Sequence, residues 1–165
     1  MSIIQTDINP EFLNTLYDMF NSITIPKRVS TSPRYNTTGM RTICFGLVKY
    51  RVKYNDKPKH GISRFTILYP EIYDELKLII LRIYPDFTYT TIQVNHNGVM
   101  DYHTDKNNQG DTVILSFGEY EGGELVIDEV EYNMNCKAVR FDASKIRHKT
   151  NPLVGNKYSL VYFTI

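Results

Sequence analysis

Residues 148–163 of this 165-residue chain read HKTNPLVGNKYSLVYF. The stretch from residue 157 to the carboxyl terminus is rich in β-forming side chains, which predicts a terminal strand. Lys157 opens this strand, and Ser159 follows two residues later on the same face. A cation on an otherwise apolar strand is costly to bury unless it meets an anion. The segment therefore predicts either a bound anion at Lys157 or an ammonium group that reaches water along the strand.

The sequence preceding this segment also predicts short strands joined by turns. Gly122-Gly123 breaks the chain, and residues 107–110 (NNQG) predict a further turn. The predicted strands cover residues 88–95, 112–117, 124–127, 137–141 and 157–165. Closely spaced strands of this kind are typical of a barrel or a double-sheet jelly roll.

The amino-terminal part has a different pattern. Asn9-Pro10-Glu11 predicts a helix start, with apolar residues at helical spacing up to residue 20 and an end near Pro26. A second helix is predicted from Pro70 to just before Pro85, and residues 41–54 predict a strand. We therefore expect a mostly β protein of the α+β class. It would form a single domain over residues 1–165, with a helical and basic part at 1–87 and a jelly-roll barrel core at 88–165.

Composition excludes several classes of protein. Hydrophobic residues make up 42% and charged residues 22% of the chain, as in ordinary globular domains. No apolar stretch is long enough to span a membrane, and no secretory signal is visible. The two cysteines, Cys44 and Cys136, lack metal-type spacing and suggest free thiols in a reducing compartment. These features predict an intracellular protein, cytoplasmic or nuclear and not secreted, and they leave its oligomeric state open.

Charge is distributed unevenly along the chain. Residues 27–64 contain ten basic residues and one acid, a net charge of +9, whereas the rest contains nine basic and seventeen acidic residues, a net charge of −8. Such a segment predicts a positive patch that attracts nucleic acid, if it folds onto one face. The alternative is a solvated basic strand and loop.

His103-Thr104-Asp105 is the first candidate for chemistry. Residues i and i+2 of an extended chain point to the same side, so the imidazole and the carboxylate can converge on one point. A distant imidazole, for which His148 is the natural candidate, would complete a 2-His-1-carboxylate group of the kind that binds Fe(II) in oxygenases. The alternatives are a surface His beside a turn Asp, or His60 or His96 as the third ligand.

In this order, the HxD motif, a later His and the Lys-x-Ser strand resemble the Fe(II)/2-oxoglutarate oxygenase superfamily, whose fold is a double-stranded β-helix. The resemblance covers residues 88–165, and residues 117–125 (FGEYEGGEL) are similar to the glycine-pair turn of these enzymes. It implies that His103, Asp105 and His148 bind iron, and that Lys157 and Ser159 hold the far carboxylate of 2-oxoglutarate. Asn95 matches a position whose polar side chain helps to fix the cosubstrate.

The resemblance also implies the reaction. Fe(II), 2-oxoglutarate and O₂ would support hydroxylation of a C–H bond, with succinate and carbon dioxide as coproducts and ascorbate as an accessory reductant. Related halogenases replace the carboxylate ligand with a small residue, so Asp105 favours hydroxylation. A barrel that only binds a ligand or nucleic acid is the non-catalytic alternative.

Two substrate classes are favoured by the sequence, and a small-molecule or other oxygenase substrate is the remaining possibility. Residues 105–110 and the Gly-Gly-Glu-Leu turn resemble the TET/J-binding-protein group, which hydroxylates the methyl group of 5-methylcytosine or thymine. In this interpretation the basic segment holds nucleic acid, with Arg34, Arg41 and Arg51 as candidate contacts. That group usually places Arg on the terminal strand, whereas this chain has Lys157. Residues 152–157 instead resemble prolyl 4-hydroxylases, which use Lys there, so a protein (prolyl-type) hydroxylase is the alternative.

Overall fold

The computed structural model describes residues 2–27, 35–36, 40–53 and 55–165. Within these residues the chain forms three helices and twelve strands. The helices are α1 (Glu11–Asn21), α2 (Arg64–Leu68) and α3 (Pro70–Ile83). The strands are β1 (Ile4–Asp7), β2 (Tyr35–Asn36), β3 (Arg41–Tyr50), β4 (Lys59–Ile62), β5 (Thr91–His96), β6 (Val99–His103), β7 (Thr112–Gly122), β8 (Leu125–Ile127), β9 (Val130–Tyr132), β10 (Lys137–Phe141), β11 (His148–Thr150) and β12 (Leu153–Phe163).

The strands form two antiparallel sheets that face each other. The larger sheet has the order β1-β10-β7-β12-β5-β3-β4, and the smaller has the order β2-β6-β11-β8-β9. The chain passes repeatedly from one sheet to the other, as in a jelly roll. The predicted mostly β, double-stranded β-helix fold with supporting amino-terminal helices is confirmed.

The two predicted helices form close to their expected bounds. The Asn9 side-chain oxygen accepts a hydrogen bond from the backbone N–H of Glu11 at 3.1 Å. α1 begins at Glu11, with Pro10 as its N-cap residue, one position later than expected. It ends at Asn21, well before Pro26. α3 begins at Pro70, where the missing N–H of proline costs nothing, and ends at Ile83.

The helices cover one side of the larger sheet, here called the helix side. Apolar residues of α1 and α3 pack on this side against alternate residues of the central strands, including Ile92, Val94 and Leu160. A second apolar cluster, which includes Ile127, Val139 and Phe141, lies inside the barrel between the two sheets. The remaining interior positions, discussed below, carry polar side chains.

The barrel interior has two ends. At the hairpin end, short connections at residues 97–98, 123–124 and 151–152 link the two sheets. At the loop end, longer connections at residues 104–111 and 142–147 do so. β3 pairs with β5 only as far as Gly46, opposite Thr91 at the loop end, and from Leu47 onward it pairs with β4. The β3–β4 hairpin therefore extends from the loop end of the barrel.

Several short elements were not predicted. They are β1, β2, β4, β6, β9, β11 and α2. Each is five residues or fewer, and most contain charged or polar residues that mask a periodic pattern. The strand predicted for residues 41–54 ends at Tyr50, and Tyr54 lies outside the described residues. No helix within the described part of the chain is long and apolar enough to cross a membrane.

Candidate metal and cosubstrate site

The three predicted metal ligands meet at the loop end of the barrel. His103 ends β6, His148 begins β11, and the two residues are direct cross-strand partners. Asp105 lies in the connection that follows β6, and its backbone N–H donates to the carbonyl of Ala143 at 2.9 Å. The Nε2 atom of His103 lies 3.7 Å from Oδ1 of Asp105, and Nε2 of His148 lies 3.4 Å from Oδ2. The possible ligand atoms of the three residues all lie within 4.8 Å of one another.

Backbone carbonyls orient both imidazole rings. Nδ1 of His103 lies 2.7 Å from the carbonyl oxygen of Asp101, and Nδ1 of His148 lies 2.9 Å from that of Ile146. Because a carbonyl only accepts, each Nδ1 carries the proton and each Nε2 carries a lone pair in the neutral ring. Both Nε2 atoms face Asp105. This is the tautomer that a metal ligand requires, fixed by a hydrogen bond on the opposite ring nitrogen.

A β-bulge aims His103 into the barrel. His148 pairs with His103, but Thr150 pairs with Met100, so β6 contains one extra residue between the two pairs. The extra residue lets Met100 and His103, three positions apart, both line the same interior pocket. Without the bulge, strand alternation would send one of them to the outer face.

The donor set fits Fe(II). Two imidazoles and one carboxylate on one side of a metal are the ligands of non-haem Fe(II) oxygenases, and they leave coordination positions for small ligands. Carboxylate and imidazole without thiolate disfavour the softer metals. Within the described residues, Cys44 and Cys136 form no disulfide, and neither belongs to this group.

Lys157 lies at the opposite, hairpin end of the barrel interior. Its backbone N–H donates to the side-chain oxygen of Asn97 at 2.8 Å, which holds the start of β12 against the β5–β6 turn. The side chain is 3% exposed, and Nζ donates to the carbonyl of Gly123 at 2.7 Å. Burial lowers the pKa of Lys157 from 10.5 to about 8, although the nearby Glu124 carboxylate opposes this shift. The ammonium group is therefore buried. It does not reach water along the strand, which was the alternative that the sequence left open.

Gly123 makes room for this ammonium group. Its φ of +66° is a conformation that favours glycine, and a Cβ there would lie 3.2 Å from both Cδ and Nζ of Lys157. The glycine-pair turn thus shapes the pocket for the lysine as well as turning the chain.

Tyr120 is a candidate site residue that the sequence did not indicate. Its hydroxyl is fully buried and has no hydrogen-bond partner among the described residues. The Nζ atom of Lys157 lies 5.5 Å from the centre of its ring. Burial raises the pKa of Tyr120, so the phenol stays neutral and can donate a hydrogen bond. A buried donor without a partner requires an explanation, and an anion beside Lys157 would supply one. Alternation along β7 from residue 114 would have placed Tyr120 on the interior face, but nothing in the sequence pairs it with Lys157.

Ser159 and Asn95 lie between the two ends. They are cross-strand partners on β12 and β5, and Oγ of Ser159 lies 3.0 Å from Oγ of Ser116. Asn95 is buried and lines a pocket of about 70 Å³ next to the metal ligands. The complete lining of this pocket is Gln93, Asn95, Met100, His103, Asp105, Ile114, His148 and Val161.

The two remaining histidines lie elsewhere. His96 points to the helix side, where it stacks on Tyr158 with ring centres 4.6 Å apart and hydrogen-bonds to Asn156. His60 is exposed on β4. Neither belongs to the metal-ligand group.

Of the three arginines expected to contact substrate, the two that the structure describes lie at opposite ends of β3. Arg34 lies outside the described residues. Arg41 begins β3 at the hairpin end, opposite His96, and its guanidinium donates to the carbonyl of Ile25 at 2.8 Å. Arg51 is exposed just beyond the other end of β3. Ten residues of extended chain separate the two, about 33 Å at most. Of the two described arginines, Arg51 lies at the loop end, where the metal ligands are, and Arg41 does not.

No protein-family model matches this sequence, and no curated protein matches it. Solved structures do share its fold. NgTET1 in complex with 5mC DNA aligns with a TM-score of 0.63 at 12% identity, over 98% of this chain and 71% of that chain. A 2OG-Fe(II) oxygenase family oxidoreductase from Burkholderia pseudomallei aligns with a TM-score of 0.60 at 14% identity, over 98% and 84%. A Pseudomonas putida prolyl-4-hydroxylase aligns with a TM-score of 0.53 at 13% identity, over 98% and 91%. The chain therefore has the fold of the 2OG-Fe(II) oxygenases, as the resemblance predicted.

Proposed function

We propose that this chain is an Fe(II)- and 2-oxoglutarate-dependent dioxygenase that hydroxylates a C–H bond, with His103, Asp105 and His148 as the iron ligands. One observation carries the proposal. A 2-His-1-carboxylate group at the loop end and a buried ammonium at the hairpin end belong to the same barrel interior. Lys157 has three N–H donors, of which one has a hydrogen-bond partner among the described residues. A dicarboxylic acid could coordinate the metal through one end and pair with the Lys157 ammonium through the other.

The length of the interior suits such a ligand. Lys157 and Val161, which lines the pocket beside the metal ligands, lie four residues apart on β12, about 13 Å along an extended strand. The Nζ atom is held at the hairpin end by the carbonyl of Gly123. Nζ of Lys157 and the hydroxyls of Tyr120 and Ser159 are the donors that we assign to the distal carboxylate.

When bound, iron and 2-oxoglutarate would supply the oxidation, and the protein would orient them. Iron with 2-oxoglutarate and O₂ converts a C–H bond to an alcohol, forming succinate and carbon dioxide. Asp101 and Ile146, through their carbonyls, hold the two histidine rings in the ligating tautomer. Phe141 of the apolar interior cluster packs against the His148 ring, with ring centres 5.2 Å apart. An apolar neighbour of this kind would strengthen hydrogen bonds to the cosubstrate.

The activity is tested by incubating the protein with Fe(II), 2-oxoglutarate and ascorbate under air and measuring succinate. We expect succinate to form slowly without substrate and faster with a substrate of the correct class. Absence of succinate in every condition, with a folded protein that binds Fe(II), would overturn the proposal.

For the substrate, we propose a methylated pyrimidine base, 5-methylcytosine or thymine, in nucleic acid. The support comes from the β3–β4 hairpin, residues 47–62, which is called the basic hairpin below. Its exposed cations are Lys49, Arg51, Lys53, Lys57 and Lys59. Its only acid, Asp56, accepts a hydrogen bond from the backbone N–H of Lys53 at 3.1 Å. These cations extend from the end of the barrel at which the metal ligands lie, so phosphates bound there would stand beside the site.

The basic hairpin also offers an aromatic surface. Tyr50 is 45% exposed and lies directly before Arg51. A base that reacts at a metal inside a barrel must leave its stack, and an exposed aromatic side chain can stack on a neighbouring base. This arrangement favours nucleic acid over a small-molecule substrate.

A salt titration tests this substrate class. Binding of a methylated oligonucleotide should weaken steeply with added salt, and Arg51→Gln with Lys53→Gln should lower the slope of log K against log salt by about two. Lys77→Gln on α3, an exposed lysine paired with Asp74, is the matched control and should leave the slope unchanged. Mass spectrometry of the oligonucleotide should show a gain of one oxygen on the base. Salt-insensitive binding, or no oxygen gain on any base, would contradict the nucleic-acid substrate.

The alternative is a protein hydroxylase of the prolyl type. Its support is Lys157 at the cosubstrate position, where the sequence resembles prolyl 4-hydroxylases, together with the shared fold of the Pseudomonas putida enzyme. Oxygen incorporation into a proline-rich peptide, and not into DNA, would favour this alternative.

A further inference from the structure

A row of polar side chains crosses the interior face of the larger sheet midway between its two ends. Four strands contribute one residue each at the same register: Thr42 pairs with Asn95, Asn95 with Ser159, and Ser159 with Ser116. Thr42 differs from the other three because it belongs to β3, outside the residues that resemble the oxygenase superfamily. The resemblance therefore assigns no role in metal or 2-oxoglutarate binding to the Thr42 hydroxyl.

Hydrogen bonds in this row fix the amide of Asn95. Its side-chain oxygen accepts from the Thr42 hydroxyl at 2.9 Å and from the Gln93 amide at 2.8 Å. An amide oxygen has two lone pairs, so both are in use. The group that Asn95 can offer to a ligand in the adjoining pocket is its Nδ2 amine, which only donates.

This orientation suits one class of ligand. A carboxylate accepts hydrogen bonds and does not donate them, so it is attracted by Nδ2 and repelled by the amide oxygen. Asn95 is 5% exposed and lines the pocket next to His103, Asp105 and His148. A reversed amide would place its oxygen against a bound carboxylate in a buried setting, where such a mismatch is costly.

We propose that Thr42 is a positioning residue that holds Asn95 with its Nδ2 amine directed at a carboxylate oxygen of 2-oxoglutarate. The inference rests on the proposed function. It assigns part of the cosubstrate site to the amino-terminal strand β3, whose far end begins the basic hairpin. Thr42 does not touch the cosubstrate and acts through Asn95.

The test is a double-mutant cycle on cosubstrate binding. Calorimetry with Zn(II)-loaded protein, in which no turnover occurs, gives the dissociation constant of 2-oxoglutarate, and steady-state assays of the Fe(II) protein give KM and kcat. Thr42→Val should raise the dissociation constant and KM about fivefold, the effect of one lost hydrogen bond, with little change in kcat. Thr42→Ser, which keeps the hydroxyl, should restore both. Thr42→Val added to Asn95→Ala should have no further effect.

A matched control separates this role from a structural one. Thr6→Val on β1 removes a hydroxyl that lies 2.7 Å from the Tyr84 hydroxyl, far from the barrel interior, and should leave 2-oxoglutarate binding unchanged. The inference is overturned if Thr42→Val binds 2-oxoglutarate like the wild type, if Thr42→Ser fails to rescue, or if the effects of Thr42→Val and Asn95→Ala add. Failure of the wild-type metal-loaded protein to bind 2-oxoglutarate at all would instead overturn the proposed function, and this inference with it.

Discussion

The two sides of the larger sheet differ in whether their buried polar atoms have hydrogen-bond partners. The residues of β12 face both sides in alternation. Tyr158, Leu160 and Tyr162 face the helix side and belong to the main apolar core. Lys157 and Ser159 alternate with them and face the barrel interior. On the helix side even the fully buried Tyr162 hydroxyl has a protein partner, the carbonyl of Leu76 at 2.6 Å. On the interior side, the buried Tyr120 hydroxyl has no partner among the described residues.

This contrast indicates that the helix side stabilises the fold and that the interior side serves function. A fully satisfied apolar layer is what a stable fold requires, whereas a buried lysine and an unpartnered phenol cost free energy in the ligand-free protein. Residues that break the rules of packing without a local gain are expected at functional sites. The interior side therefore contains the groups that we assign to ligand binding, and the helix side holds the apolar scaffold. Substitutions on the two sides should have opposite consequences.

The largest effect should follow loss of the proposed carboxylate ligand, Asp105, on the interior side. Asp105→Ala should abolish succinate formation and weaken Fe(II) binding by more than about 100-fold, because even residues behind a metal ligand contribute 10- to 100-fold. The thermal midpoint should change little. Asp101→Ala is the matched control, since its exposed side chain is lost while its carbonyl still accepts from His103. Full turnover by Asp105→Ala, measured as succinate, would remove this residue from the site.

A core substitution on the helix side should show the opposite pattern. Leu160→Ala removes a fully buried side chain and should lower the free energy of unfolding by about 2–5 kcal/mol. The fraction that remains folded should bind 2-oxoglutarate with wild-type affinity. Val154→Ala, at a position of β12 that is 78% exposed, is the control and should have almost no effect on urea unfolding. If Leu160→Ala changed cosubstrate affinity without loss of stability, the two sides would not be separate.

Lys157→Met tests the interior side of the same strand. Loss of a charge-assisted hydrogen bond should weaken 2-oxoglutarate binding by about 10- to 100-fold. The ligand-free protein should be as stable as the wild type or more stable, because a buried cation is replaced by an apolar side chain of similar length. Lys149→Met on β11, where the ammonium lies 4.9 Å from the Tyr102 ring centre, should leave binding unchanged. Equal affinities in calorimetry for wild type and Lys157→Met would place the distal carboxylate elsewhere.

The smallest effect concerns pH. Burial lowers the pKa of Lys157 to about 8, below its ordinary 10.5, so the ligand-free protein loses this charge as the pH rises through 8. Affinity for 2-oxoglutarate should therefore fall above pH 8, by up to about tenfold per pH unit. Between pH 8 and 10.5 the unfolded chain binds the proton more tightly, so this group should make the ligand-free protein more stable as pH rises. Lys157→Met should show neither trend; a pH-independent wild-type affinity from pH 7 to 9.5 would contradict the assignment.

The sequence predicted the parts of the molecule that depend on local signals. Prolines bound α3 on both sides, and a run of β-formers defines β10, so these elements form where expected. The candidate metal ligands could be chosen by residue type, because few side chains bind Fe(II). Their meeting could not be derived, because it depends on the register of β6 against β11 and on a bulge that no local pattern marks.

Residues that act across strands were missed for the same reason. Tyr120 and Thr42 are ordinary strand residues in the sequence, and only the pairing of distant strands puts one beside Lys157 and the other beside Asn95. Arg41 shows the converse. Its charge suggested a substrate contact, but the fold places it at the hairpin end, away from the metal ligands. Charge along a chain does not tell which end of a barrel a side chain will reach.

The most direct test of the central claim is the source of the oxygen in succinate. Wild-type protein turned over with Fe(II) and 2-oxoglutarate under ¹⁸O₂ should release succinate in which one carboxylate oxygen is labelled, as mass spectrometry would show. Asp105→Ala should release none. Unlabelled succinate, or equal labelling from both proteins, would contradict a dioxygenase site built on His103, Asp105 and His148.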